Sequence, residues 1–363
     1  MTETDAGPPT TLHLVTASQR RGAEVFAADL VAALIDRGHP GSLVALTAGP
    51  GGDELGVPVL GTSPFAPGTL RALRRAARSA DVVVAHGSKT LPAVAAALAG
   101  TGRPFVYRSI GDPMAWSGSG LRRARTALLL RRAARVVALW PGAADVLHRV
   151  HGVPRSKLVV SPNGVPAARC PVADAAVRAA ARVAFGLPSE GRVVTYLGAL
   201  SPEKQVDTAI RAVAALDDVH LLVAGAGRER AALEALALEI APGRAHFAGA
   251  VPGPQEAFAA ADVVVLPSRT EGMPGVLIEA GLTGRAAVAS DVGGVAEIVR
   301  PGETGMLATP GDVAGFVESL RSVLDDAEAL GKAAHTHCIE HFDMPVVAAR
   351  WAELLEGTAQ SAC

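Results

Sequence analysis

Short apolar runs recurring between helix-patterned stretches constrain this chain more than any other feature. Residues 12–16, 42–46, 81–85, 104–108, 135–140 and 158–161 read as strands, and helical patterns such as 23–37 and 121–135 lie between them. Alternation of this kind predicts βαβ units and a parallel sheet covered on both faces. Asn163, Gly164, Val165 and Pro166 interrupt the pattern, residues 167–171 read as a hinge, and the alternation restarts at Arg192. Strands are then predicted at 193–197, 220–224, 245–247, 262–266, 287–290 and 305–307, and helices at 206–215, 228–238, 255–260, 276–282 and 313–324. The fold class is α/β, with two doubly wound, Rossmann-like domains expected to face each other across a cleft at their strands' carboxyl ends. The boundaries read as 1–166, 167–345, and a segment 346–363, patterned around Trp351, that crosses back as a helix to the first domain.

Length and composition agree with this. A chain of 363 residues, 49% of them hydrophobic, has material for two cores. Its longest apolar runs fall far short of the roughly 20 residues that span a bilayer. The first ten residues lack the cationic start and apolar core of a secretory signal, which predicts residence in the cytoplasm. Cys170, Cys338 and Cys363 have no metal-ligand or disulfide spacing and read as incidental. The net charge of −1 hides a polarity. Residues 1–165 carry nineteen Lys and Arg against ten Asp and Glu, and the remainder fifteen against twenty-five.

The most informative segment is 261–300. A buried strand ends at Pro267, and a loop with Glu271 and two glycines enters a helix containing Glu279, seven residues lying between the two acids. Amides of Met273, Gly275 and Val276 at the helix start suit an anion, because the first N–H groups are unpaired and the dipole is positive there.

Residues 270–280 resemble the Glu-x7-Glu signature of family 4 of the retaining glycosyltransferases, which have the GT-B fold. Motifs on either side extend the likeness in order and spacing: Tyr196 to Lys204 is similar to the family's diphosphate turn, Val223 to Gly227 to its second glycine loop, Ser290 to Val299 and Gly302 to Gly305 to its later turns, and Gly22 to Glu24, with Arg37 to His39 after the helix, to its opening loop and helix. The resemblance implies transfer of a sugar from a nucleoside-diphosphate donor, UDP-linked by preference, to a hydroxyl of a small molecule or lipid-linked acceptor. No metal or cofactor is implied. Glu279 would bind the ribose, Glu271 the sugar hydroxyls and Lys204 the diphosphate. Gly198, Gly225, Gly227, Gly272, Met273, Gly275 and Val276 would line the donor site, Val251 would meet the base edge, and Gly22 would let the first domain's backbone approach the phosphates. His86, Arg108 and Asp112 are the remaining catalytic candidates, on the acceptor side.

Two departures stand out. Ala199 replaces an arginine common in the family's diphosphate turn, and Arg20, Arg21 and Arg108 are candidates to supply the charge. The family also usually has a histidine at the end of the strand read at 104–108, where this chain has Tyr107 to Asp112. Taken singly, each motif has an ordinary reading: a turn glycine, a helix-start acid, a solvated lysine. The competing functions are a GT-B epimerase or hydrolase and an inactive nucleotide-sugar-binding subunit. A dehydrogenase is discounted because Thr16 to Gly22 holds no G-x-G-x-x-G. The stretch from Leu121 to Arg135, with six arginines among leucines, suits contact with anionic membrane at its inner face, with a solvated helix as the alternative. Nucleic acid is disfavoured for want of interleaved aromatics.

Overall fold

The computed structural model describes residues 7–49, 51, 54–116 and 120–361, without the side chains of 115 and 116. Cys363 and the first six residues of the acidic N-terminal stretch lie outside them. The chain forms two compact units, Met1–Gly164 with Met344–Cys363, and Val165–Asp343.

In chain order the first unit holds β1 (Thr11–Ala17), α1 (Gly22–Asp36), β2 (Gly41–Thr47), β3 (Val59–Gly61), α2 (Pro67–Ala76), β4 (Val82–His86), α3 (Thr90–Ala97), β5 (Phe105–Arg108), α4 (Pro113–Trp116), α5 (Leu121–Arg132), β6 (Arg135–Ala138), α6 (Pro141–Arg149) and β7 (Leu158–Val160). The second holds α7 (Ala175–Ala184), β8 (Arg192–Leu197), α8 (Val206–Ala214), β9 (Val219–Ala224), α9 (Arg230–Ile240), β10 (Ala245–Gly249), α10 (Gln255–Ala260), β11 (Val263–Leu266), α11 (Gly275–Leu282), β12 (Ala286–Ser290), β13 (Gly305–Ala308), α12 (Val313–Asp325) and α13 (Ala327–Phe342). The chain then returns to the first unit as α14 (Met344–Gln360).

Both sheets are parallel throughout. The first runs β3-β2-β1-β4-β5-β6-β7 and the second β10-β9-β8-β11-β12-β13. Strand order reverses between β1 and β4 and again between β8 and β11, and such switch points open a crevice at the strands' carboxyl ends. Strands buried on both faces need continuous apolar sequence, which Val82 to Ala85 and Val263 to Leu266 supply.

On one side of the first sheet, α1 and α14 share a core in which Phe26, Leu30 and Leu34 meet Val347, Trp351 and Leu355 over Val84 and Val106. The α14 residues recur every three or four positions, so one stripe of that helix is buried against the strands. Trp351 has no exposed surface. The helix predicted at 121–135 ends at Arg132 because Ala133 takes extended backbone angles and Arg135 opens β6. The segment read as a hinge begins as a 3-10 turn, Ala167–Arg169, and the Ala167 amide donates to Asp343 Oδ1 at 2.9 Å. Among the described residues, no helix is long and apolar enough to cross a membrane.

Candidate active site

In the second unit, the two loops leaving the strands at the switch point carry the acid and the base. Beyond β8, Gly198 turns the chain, its amide donating to Ala224 O at 3.0 Å, and the loop reaches Lys204 through the 3-10 turn Pro202–Lys204. Gln205 follows in left-handed geometry at φ 47° and starts α8. A Cβ on Gly225 would lie 1.8 Å from Gly198 O, and one on Gly227 2.1 Å from Leu200 O. Only glycine lets the β8 and β9 turns pack backbone to backbone.

Beyond β11, Ser268 and Glu271 stand on the second loop. Lys204 Nζ approaches Glu271 Oε1 to 2.6 Å, and Ser268 Oγ donates to the same oxygen at 2.7 Å. The Arg269 amide donates to Glu203 O at 2.8 Å, which ties the two loops together, and within the first loop Ser201 Oγ donates to Glu203 Oε1 at 2.6 Å. Behind them Gly293, at φ 59°, leaves no room for a side chain, since a Cβ would lie 2.2 Å from Glu271 O. The Gly294 amide holds Gly272 O at 2.7 Å. The Glu271 side chain is only 10% exposed and that of Lys204 24%, so neither is the open surface group that the sequence suggests. Burial, with Glu271 and Glu203 close by, pushes the Tyr196 phenol pKa up, and its hydroxyl donates to Ala199 O at 2.7 Å.

The same loop feeds α11, which no side chain caps. Met273 is buried, while Gly272, Gly275, Val276 and Glu279 are half-buried, Glu279 about one turn into the helix. A Cβ on Gly275 would meet nothing within 4 Å. Val251, after β10, is half-buried and packs partly against a core with Leu187, Val193 and Leu222. Ala199 is exposed, and no cation occupies that position. The sequence reading sought a replacement only in the first half. Within this unit Arg228 follows the Gly225 turn with its side chain 76% exposed, and its charge helps hold the Glu203 carboxyl low, after the Ser201 hydrogen bond, the backbone and Lys204. Ser268 was also missed, though a serine three residues before a loop glutamate was a signal.

The acceptor-side candidates lie in the first unit, and there the structure departs from expectation. His86, taken as a strand-end catalyst or rim residue, is buried. Its Nε2 lies 3.1 Å from His13 Nδ1, and its ring stacks at 6.2 Å on Trp351 of α14. Burial, reinforced by His13 and Arg108, holds its imidazole well below the usual pKa. The ring is covered by Trp351 of α14. Arg108, its register neighbour on β5, is 1% exposed. Its guanidinium sits 3.7 Å over the Phe26 ring and donates to Asn163 Oδ1, while Nε and Nη1 have no hydrogen-bond partner among the described residues. Burial works against its charge and Glu24 supports it; burial raises the Glu24 carboxyl in turn. Asp112 Oδ1 accepts the Met114 amide at 2.9 Å and so helps start α4. Gly22 opens α1, with nothing within 4 Å of a Cβ placed there.

Residues 21–164 match the family described as "Glycosyl transferase 4-like domain", and residues 191–326 that described as "Glycosyl transferases group 1". Each of these glycosyltransferase models matches one of the two units. It is 35% identical over 205 residues to the 2-deoxystreptamine glucosyltransferase of Streptomyces kanamyceticus, a match covering 54% of this chain and 53% of the relative. It is 28% identical over 296 residues to the D-inositol 3-phosphate glycosyltransferase of Nocardia farcinica, covering 77% of this chain and 61% of the relative. The match thus spans little more than half the length of these curated relatives.

Among solved structures, the chain superposes on Anabaena HepE in complex with UDP with a TM-score of 0.84 at 23% identity, covering 96% of this chain and 100% of that one. Against sucrose-phosphate synthase from Thermosynechococcus elongatus the TM-score is 0.84 at 20% identity, covering 97% and 100%. The architecture is GT-B.

Proposed function

We propose that the chain is a retaining glycosyltransferase that takes a sugar from a nucleoside-diphosphate donor, UDP-linked by preference, without a metal. The observation carrying this reading is the Lys204–Glu271 pair, a cation and a carboxylate brought from separate loops to 2.6 Å beside the uncapped start of α11. In the free protein each neutralises the other. When donor enters, Lys204 moves to the diphosphate and Glu271 is released to accept hydrogen bonds from sugar hydroxyls, while Glu279 takes the ribose. The Gly275 and Val276 amides, with the dipole of α11, face the phosphates. The bond between the anomeric carbon and the diphosphate oxygen breaks, and that carbon bonds to the acceptor oxygen on the same face. The acceptor proton passes to the departing phosphate oxygen. Preorganised donors aimed at the leaving group stabilise the charge that develops there, so no metal is required.

Arg228 supplies part of the charge missing at Ala199. In the first unit, Gly22 leaves backbone open to the phosphates, whereas Arg108, buried between Phe26 and Asn163, acts as a positioning residue for the strand ends around the acceptor. The acceptor offers a hydroxyl on a small molecule or a lipid-linked group. HepE, of the same fold, has been solved with UDP-glucose, which supports the choice of uridine.

Thermal shift with UDP, GDP, ADP and dTDP, followed by turnover of the matching sugar donor, tests the proposal. Stabilisation by UDP with acceptor-dependent release of UDP is expected. Stabilisation by GDP alone would overturn the base preference, and nucleotide binding with no turnover across an acceptor panel would favour an inactive binding subunit.

A further inference from the structure

Between Leu55 and Ala144 the chain holds thirteen Lys and Arg but only two acids, Asp81 and Asp112. Both acids are engaged with backbone amides, Asp81 with that of Thr10 and Asp112 with that of Met114. The fold gathers those carried by α2 and α5 on one side, whereas Arg108 is buried. Helices α2, α3 and α5 pack side by side, α3 in the middle, on the sheet face opposite α1 and α14. Arg132 Nη1 ties α5 to α3 through Ala95 O at 2.8 Å, and Arg74 Nη1 ties α2 to α3 through Ala99 O at 3.4 Å. Arg71, Arg74 and Arg75 are exposed on α2, and Arg122 and Arg125 on α5.

Helix α5 adds a feature that a solvated helix does not need. Leu130 is its only buried residue, and the opposite stripe, at spacings of four and seven, carries Leu121, Arg125 and Leu128. Leu121 is 91% exposed and Leu128 64%. Leucines standing outward among arginines give a helix that can sink its apolar side chains among lipid tails while its cations meet headgroup phosphates.

We propose that the face formed by α2, α3 and α5 docks on the surface of an anionic lipid bilayer, with α5 lying in the interface. The charge is one-signed, as phosphate-rich headgroups require, and the exposed leucines have no role on nucleic acid. None of the three helices carries an aromatic residue to stack on bases. The docking goes beyond the transfer reaction, and its readout does not depend on turnover.

The test is co-sedimentation of the full chain with vesicles of phosphatidylcholine alone and of phosphatidylcholine with phosphatidylglycerol. Binding to the anionic vesicles only, weakening as salt is added, is expected. Arg122→Gln/Arg125→Gln should lower the partition coefficient roughly 25-fold, at about fivefold for each charge removed near a bilayer surface. Leu121→Ser/Leu128→Ser should also lower it severalfold, and both pairs change exposed positions, so circular dichroism should match the parent. Equal binding to the two vesicle types, or undiminished binding by either variant, would overturn the proposal. So would retention of a transfer RNA that depends on Arg122 and Arg125 but not on the leucines, without vesicle binding.

Discussion

Lys204→Ala and Glu271→Gln separate two tasks that the pair combines. In the free protein Glu271 Oε1 receives the Lys204 ammonium at 2.6 Å and the Ser268 hydroxyl at 2.7 Å, within a side chain 10% exposed. Removing the ammonium leaves a nearly buried carboxylate to a single hydroxyl. A hydrogen bond to a charged group contributes about 1.5–3 kcal/mol. Lys204 is still 24% exposed, so water screens part of that, and the expected loss is about 1–2 kcal/mol. For a unit of this size it lowers the melting temperature by roughly 2–8 °C. Glu271→Gln keeps an oxygen for Ser268 and frees a lysine that water can reach, so its cost should stay under about 1 kcal/mol. Nucleotide binding should diverge more sharply. Calorimetric titration with the nucleoside diphosphate selected by thermal shift should show Lys204→Ala weakened by about tenfold or more, equal to about 1.4 kcal/mol. Glu271→Gln should bind it as well as the parent or better, because no ion pair must open. Both should lower turnover by roughly 100-fold, the scale of losing one preorganised group. If both variants lost nucleotide affinity equally, the idea that Glu271 holds Lys204 in reserve would fail.

Gly225→Ala should cost about 2–4 kcal/mol because its Cβ overlaps Gly198 O, whereas Gly22→Ala, with open space around it, should leave the melting temperature nearly unchanged yet reduce turnover. Burial holds the His13 imidazole at about 3 against 6.5 in the open chain, and lowers His86 likewise. The unfolded chain then binds more protons below pH 6.5, so stability is full above that pH and falls toward pH 3 by up to about 1.4 kcal/mol per unit for each such histidine; equal urea midpoints at pH 7.5 and 5.5 would contradict this. Turnover should be insensitive to EDTA, and loss reversed by a divalent cation would show a metal requirement. Arg228→Ala should weaken nucleotide binding severalfold, as read by titration, with circular dichroism unchanged.

The strands were legible because a parallel strand covered on both faces needs an unbroken apolar run, as in Val263 to Leu266. β3 went unread because its three residues pair along one edge only. Helices α7 and α13 also went unread, since alanine dominates α7 and histidines interrupt the apolar spacing of α13. In the site, Lys204 and Glu271 were legible from their motif, but their contact was not, because it depends on two loops 67 residues apart meeting at the switch point. The burial of His86 was hidden for a related reason. The helix that covers it, α14, is the last in the chain, and nothing local to His86 announces Trp351.

The glycines divide scaffold from site. Gly225, Gly227 and Gly293 are demanded from inside, since each would place a Cβ within 2.2 Å of a backbone oxygen of a neighbouring turn. Gly22 and Gly275 open α1 and α11 with empty space where a Cβ would stand, so packing does not require either. The N-cap positions before them, Arg21 and Pro274, offer no side-chain acceptor of the kind a serine, threonine or aspartate would supply there. Neither helix start has a side-chain cap. At α11 the uncapped start is consistent with close approach of an external anion to that helix's N-terminus. The first group of glycines builds the turns, whereas Gly275 leaves backbone exposed for the diphosphate proposed to bind at α11.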